Sequence, residues 1–146
     1  MSSSLVNVLE VEFLAMGRTS AVGELPDQLD GVIQQQIAIG DVLPVTGKRA
    51  AHFSVIVSLF KRPESDRVAF RKVERWLKNH SAVLSRLDAR KILEFQSFID
   101  SNAGSRIVTI PNSIVRLCGK AGIDVAHQAI RVFSKSEYAR LRSTGE

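Results

Sequence analysis

Hydrophobic and polar positions alternate near the start of the chain, turn helical after residue 65, and then alternate again. Over residues 5–14, Leu9, Val11 and Phe13 fall on one side while Val8, Glu10 and Glu12 fall on the other. That period of two is the pattern of a half-buried strand. Residues 52–60 repeat it: Phe53, Val55, Val57 and Leu59 share one face, and His52, Ser54, Ile56, Ser58 and Phe60 the other. Lys61-Arg62-Pro63 breaks the run, and Glu64 or Ser65 can open a helix. Over residues 66–87, Ala69, Val73, Trp76, Leu77, Val83, Leu84 and Leu87 recur at helical spacing.

Residues 91–100 and 106–110 read as two further strands. The Ser101-Asn102-Ala103-Gly104-Ser105 segment between them has the length and the glycine of a hairpin loop. Pro111 fits the first turn of a second helix, where its missing N–H is not needed, and Gly122 fits the position just past its end. Ile114, Val115, Leu117, Cys118 and Ala121 supply the apolar stripe of that helix. Residues 125–133 form a last strand, and Ser134 with Glu137 makes a capping box for a short terminal helix reaching Leu141.

Residues 52–133 therefore predict the order β-α-β-β-α-β, an α+β fold of ferredoxin-like type with two helices on one face of an antiparallel sheet. The strand at residues 5–14 would add to an edge or pair within residues 17–47. That segment carries five glycines and two prolines and is the hardest to read; Asp27 could cap a helix over residues 27–39 that Gly31 weakens, and the whole is either a long functional excursion or extra strands. The length of 146 residues favours a single domain over 1–146.

Charge divides the chain unevenly. Residues 1–60 hold three basic and six acidic residues, whereas residues 61–146 hold seventeen basic and nine acidic, and the whole carries +5. A basic excess of this kind suits an acidic protein surface or nucleic acid. Its clearest local expression is the row Arg67, Arg71, Arg75 and Lys78, spaced by four and three along the first long helix and nearly opposite its apolar stripe. Lys72 and Arg62 lie nearby, and Glu74 and Asp66 offset part of the charge. Guanidinium groups suit bidentate capture of carboxylate or phosphate. The ordinary alternative is a solvated helix surface.

Candidate chemistry is sparse. One cysteine, Cys118, excludes an internal disulfide framework and a multi-cysteine zinc site. It lies on an apolar stripe, as a core residue would. His52, His80 and His127 stand alone, without metal-ligand spacing, though His52 and His127 would meet if their strands were neighbours. Phosphate-loop and nucleophile-elbow motifs do not occur. No cofactor or metal is expected, and the residues point to a non-enzymatic protein, an enzyme of unknown reaction being the third reading. No apolar run reaches spanning length and no targeting segment opens the chain, so a cytoplasmic protein without membrane contact is expected.

Three resemblances bear on function. RNA-recognition domains share the predicted strand and helix order, but they stack bases on aromatics of their two central strands, and residues 106–110 (RIVTI) hold none. Arg106-Ile107-Val108-Thr109-Ile110-Pro111-Asn112 resembles the strand-Pro-helix opening of the transition-state-regulator family of swapped-hairpin DNA-binding dimers, over about a dozen residues. Residues 92–133 are similar to the closing part of small bacterial domains of unknown function, with relatives among the immunity proteins of toxin systems; the match rests on Ile110-Pro111, Leu117 and Ala121-Gly122-Ile123. The N-terminal half does not match them. This last resemblance implies an α+β fold and binding to another protein. Together with the cationic row, it favours an immunity- or antitoxin-like protein that occludes an acidic partner surface. Nucleic-acid binding through the same cations is the alternative.

Overall fold

The computed structural model describes residues 8–100 and 107–132. Its strands and helices run β1 (Val8–Gly17), α1 (Ser20–Gly23), β2 (Val32–Ile37), β3 (Phe53–Ser58), β4 (Glu64–Ser65), α2 (Asp66–Arg86), β5 (Arg90–Asp100), α3 (Asn112–Ala121) and β6 (Asp124–Val132), with a single 3-10 turn at Leu25–Asp27. The six strands form one sheet in the order β2-β3-β1-β5-β6, and the two-residue β4 pairs with the start of β1.

The α+β class holds, but the strand order differs from the ferredoxin-like expectation. β1 is the middle strand rather than an edge addition. It runs antiparallel to β3 on one side and to β5 on the other, so β3 and β5 are parallel with β1 between them. The expected hairpin of residues 91–100 with 106–110 is not formed, because residues 107–110 are not a strand. The physical reason is that β5 has no vacant edge over most of its length: β1 occupies one side and β6 pairs parallel along the other. Val108 and Ile110 instead pack at the margin of the core. The loss of that strand also removes the strand-Pro-helix reading around Pro111. The expected loop 101–105, the capping box at Ser134 and the short C-terminal helix lie outside the described residues.

Alternation along β1 decides its burial. Leu9, Val11 and Phe13 are fully buried and Ala15 nearly so, whereas the intervening positions are half-exposed or exposed. Val55 and Val57 of β3 and Leu93 and Phe95 of β5 extend that inner face. α2 lays Ala69, Val73, Trp76, Leu77 and Leu84 on it, with ring contacts Phe13–Trp76 at 5.4 Å and Phe70–Phe95 at 5.9 Å. α3 joins the same core through Ile114, Cys118 and Ala121. Val115, expected on its apolar stripe, is 45% exposed.

α2 begins and α3 ends on the expected signals, while Pro111 takes the N-cap of α3 rather than its first turn. The Ser65 hydroxyl accepts a hydrogen bond from the Val68 N–H at 3.4 Å, capping α2. Pro111 precedes α3, and Gly122 closes it in the left-handed region with φ +69°.

Residues 18–50 resolve into ordered pieces that include an extra strand, the second of the two expectations, and no helix over 27–39. Gly31 adopts φ +133° and starts β2; a Cβ there would lie 2.6 Å from the Ser58 carbonyl oxygen. A right-handed helix cannot pass through that conformation. β2 then pairs with β3 across a bulge between Ile33 and Gln35. Beyond β2, Val42 bridges Arg49, and the turn between them leaves Val45 96% exposed. No helix among the described residues is long and apolar enough to cross a membrane.

Candidate functional site

α2 is a 21-residue helix that turns Ala69, Val73, Trp76, Leu77 and Leu84 toward the sheet, and this fixes where its charges go. Arg67, Arg71, Arg75 and Lys78 are all exposed along its outer side. At 1.5 Å per residue the row spans about 16 Å. Lys78 lies 3.9 Å from the Glu74 carboxylate, a loose contact, and among the described residues no carboxylate approaches Arg67, Arg71 or Arg75 within ion-pair distance. Lys72 is committed elsewhere: its ammonium is 2.7 Å from Glu64 and 5.8 Å over the Phe60 ring. The structure thus brings the four predicted cations onto one solvent-facing stripe. Arg116 and Lys120 are exposed on α3, which packs beside α2, and enlarge the basic character of the helical layer.

The side of the sheet opposite α2 and α3 is different. Glu12 of β1 and Glu94 of β5 are direct cross-strand partners, and the Gln96 amide donates to both, at 3.1 Å and 2.8 Å. Glu10 lies on the same face, two residues away. Burial, followed by the neighbouring Glu12, raises the Glu10 carboxyl above its ordinary value. Burial, then Glu94, raises Glu12, while the Gln96 hydrogen bond pulls the other way. Among the described residues no group of three or more His, Cys, Asp and Glu is arranged to hold a metal ion. The described residues are therefore electrically two-sided, cationic over α2 and acidic across the middle of the opposite sheet face.

No protein-family model, curated protein or solved structure matches this chain.

The remaining candidate residues have structural surroundings. His80 is 6% exposed, with Nδ1 2.7 Å from the Trp76 carbonyl oxygen and Nε2 3.2 Å from the Asp30 amide. A carbonyl beside Nδ1 requires that nitrogen to carry the hydrogen, while Nε2 faces both the Asp30 N–H and, at 3.2 Å, the Asp30 carboxylate. The Trp76 indole N–H donates to the Asp30 carbonyl at 2.7 Å. Two residues one helical turn apart thus clamp the 25–31 excursion to α2. Cys118 is 1% exposed, and burial pushes its thiol up to about 11. It is core, and a thiol held protonated is a poor nucleophile. His52 and His127 do not meet, because β1 and β5 separate their strands. His127 Nε2 instead lies 2.8 Å from the Ser97 hydroxyl. Such a pair has the spacing of a nucleophile and its base. Ser97, however, has no exposed surface for a substrate to reach.

One charged residue escaped the sequence reading. Lys91 is 6% exposed and donates to the Leu84 and Ala121 carbonyls, both at 2.7 Å. It ties the C-terminal turns of α2 and α3 together. Its signal was parity: Lys91 has the same alternation as Leu93 and Phe95, which puts it on the buried face.

Proposed function

We propose that this protein acts by binding another protein, through the Arg67, Arg71, Arg75 and Lys78 stripe on α2, and carries out no catalysis. The observation that carries the reading is the row of exposed guanidiniums without a carboxylate within reach among the described residues. Desolvating an ion is costly unless it is paired, so a complementary acidic surface gains most where cations have no internal partner. In its most specific form the partner is a toxin whose acidic surface is covered, the immunity-like role implied by the resemblance at residues 92–133. The buried thiol of Cys118, the doubly engaged ring of His80 and the enclosed Ser97 support a non-catalytic reading.

Nucleic acid is the weaker partner class. The sheet face on which RNA-recognition domains stack bases here carries Glu10, Glu12 and Glu94, which repel phosphate. Charge reversal of all four α2 residues is expected to reduce capture of the partner at least tenfold while the circular dichroism spectrum and melting temperature stay close to wild type. Affinity purification from the native cell with the wild-type and reversed proteins reads this directly. Partner capture unchanged by reversal would refute the assignment. Recovery of nuclease-sensitive material in place of a protein would shift it to nucleic acid, with an affinity that falls steeply as salt rises.

A further inference from the structure

At the end of the sheet where β1 finishes and β3 and β5 begin, a cleft of about 420 Å³ opens, away from the outer stripe of α2. Small-molecule sites typically measure about 300–1,000 Å³. Its lining brings together three segments distant in sequence: Arg18 and Thr19 leaving β1, His52 entering β3, and Asp88 and Arg90 entering β5. Strand pairing is what gathers them. Met16 is the register partner of Arg90, and Gly17 is the partner of Phe53, next to His52.

The floor is tight. A Cβ on Gly17 would meet the Ala89 Cβ at 3.1 Å and the Asp88 carbonyl oxygen at 3.3 Å, so the exit of β1 and the entry of β5 touch through their backbones. Arg18 and Arg90 therefore flank a fixed junction rather than a loose loop. No carboxylate among the described residues pairs with either guanidinium; Asp88 is the one acid in the lining.

We propose that this cleft binds a small phosphomonoester whose organic body carries hydroxyl groups. Two guanidiniums, an imidazole and a hydroxyl are suited to a phosphate dianion, which offers more acceptor positions than a carboxylate. A bare phosphate would leave much of 420 Å³ unfilled. Asp88 supplies the selection for the rest: a carboxylate only accepts hydrogen bonds, so it favours a hydroxyl-bearing body and opposes a second phosphate. The site is independent of the α2 stripe.

Ribose 5-phosphate, ribose and inorganic phosphate are the probes, followed by amide chemical shifts and by titration calorimetry. Ribose 5-phosphate is expected to bind, to shift the amides of Gly17, Thr19 and Ala89, and to bind more tightly than inorganic phosphate, with ribose alone binding least. Arg18→Gln with Arg90→Gln should weaken ribose 5-phosphate about tenfold or more, since hydrogen bonds to charged groups are the strong ones. Asp88→Asn should weaken ribose 5-phosphate while leaving inorganic phosphate unchanged or tighter. Charge reversal of the α2 row should leave all three titrations as in wild type, which separates this site from the protein-binding reading. Absence of ribose 5-phosphate binding, shifts mapping to α2, or equal affinity for phosphate and ribose 5-phosphate would each overturn the proposal. The shift map on the unaltered protein decides the matter if a variant does not fold.

Discussion

Lys91 occupies an inward position of β5 among Leu93, Phe95 and Ser97, and only its two carbonyl partners make that position tenable. Both partners are carbonyls of helix C-terminal turns; that of Leu84 also accepts the Leu87 N–H at 3.3 Å. Lys91→Met keeps the length and loses the donors, and should cost about 2 kcal/mol in chemical denaturation, the scale of hydrogen bonds to a charged group. Burial lowers the Lys91 pKa from its ordinary 10.5, and Asp88 partly opposes that. The native state therefore releases this proton at lower pH than the unfolded chain. Stability relative to Lys91→Met should consequently rise with pH between the lowered native value and 10.5.

The carboxylates on the sheet face opposite the helices have the opposite sign. Glu10 and Glu12 are raised, so the native state holds protons more tightly than the unfolded chain. Their contribution is lost as pH climbs from 4.5 through the raised values, and the penalty is complete once pH exceeds them. Glu12→Gln keeps a carbonyl oxygen facing Gln96 and removes a charge. It should raise the melting temperature at pH 7 by roughly 1–3 °C, since partial exposure screens the effect. The gain should vanish in melting curves recorded below pH 4.

Among the elements, α2 and α3 were the most legible in sequence. Their apolar positions repeat with a helical period, and Ser65 and Gly122 supply chemically specific ends. β1, β3, β5 and β6 were visible as strands for the same kind of reason, to within a few residues. β2 was not, because Val32-Ile33-Gln34-Gln35-Gln36-Ile37 has neither clean alternation nor a buried face, and its bulge breaks what period exists. Gly31 was read as a weakness in a helix when it is the start of a strand. A left-handed φ cannot be read from a glycine alone. Gly31→Ala should cost about 1–3 kcal/mol for the backbone conformation, and more for the overlap with Ser58 and Val57, and should release β2 first. Hydrogen exchange of the β2 and β3 amides would show that local loss.

At the scale of the molecule, sequence periodicity assigns faces but not neighbours. Residues 106–110 looked like a hairpin partner for the preceding strand because a glycine-bearing loop precedes them. The partners that β5 takes, β1 and β6, come from more than 70 residues before and about 30 after. Of the proposed sites, the α2 stripe was legible because all four cations belong to one helix. The cleft of Arg18, His52 and Arg90 was not, because only the pairing of three strands assembles it. The same pairing makes the charge two-sided, so the binding of the α2 stripe should weaken with added salt, measurable as a slope in affinity against ionic strength.

The central position of β1 also has a kinetic side. β1 cannot settle until β3, and then β5, more than 70 residues later, have been made. Such distant closure slows folding relative to local pairing. It also means that a chain lacking residues 1–17 would present two parallel edges facing an empty slot, each offering unpaired backbone groups. A synthetic peptide of residues 1–17 supplied in trans should fill that slot and restore the far-ultraviolet spectrum and cooperative melting of the intact protein. A peptide with Val11 and Phe13 changed to serine, which retains the backbone but not the buried side chains, should not.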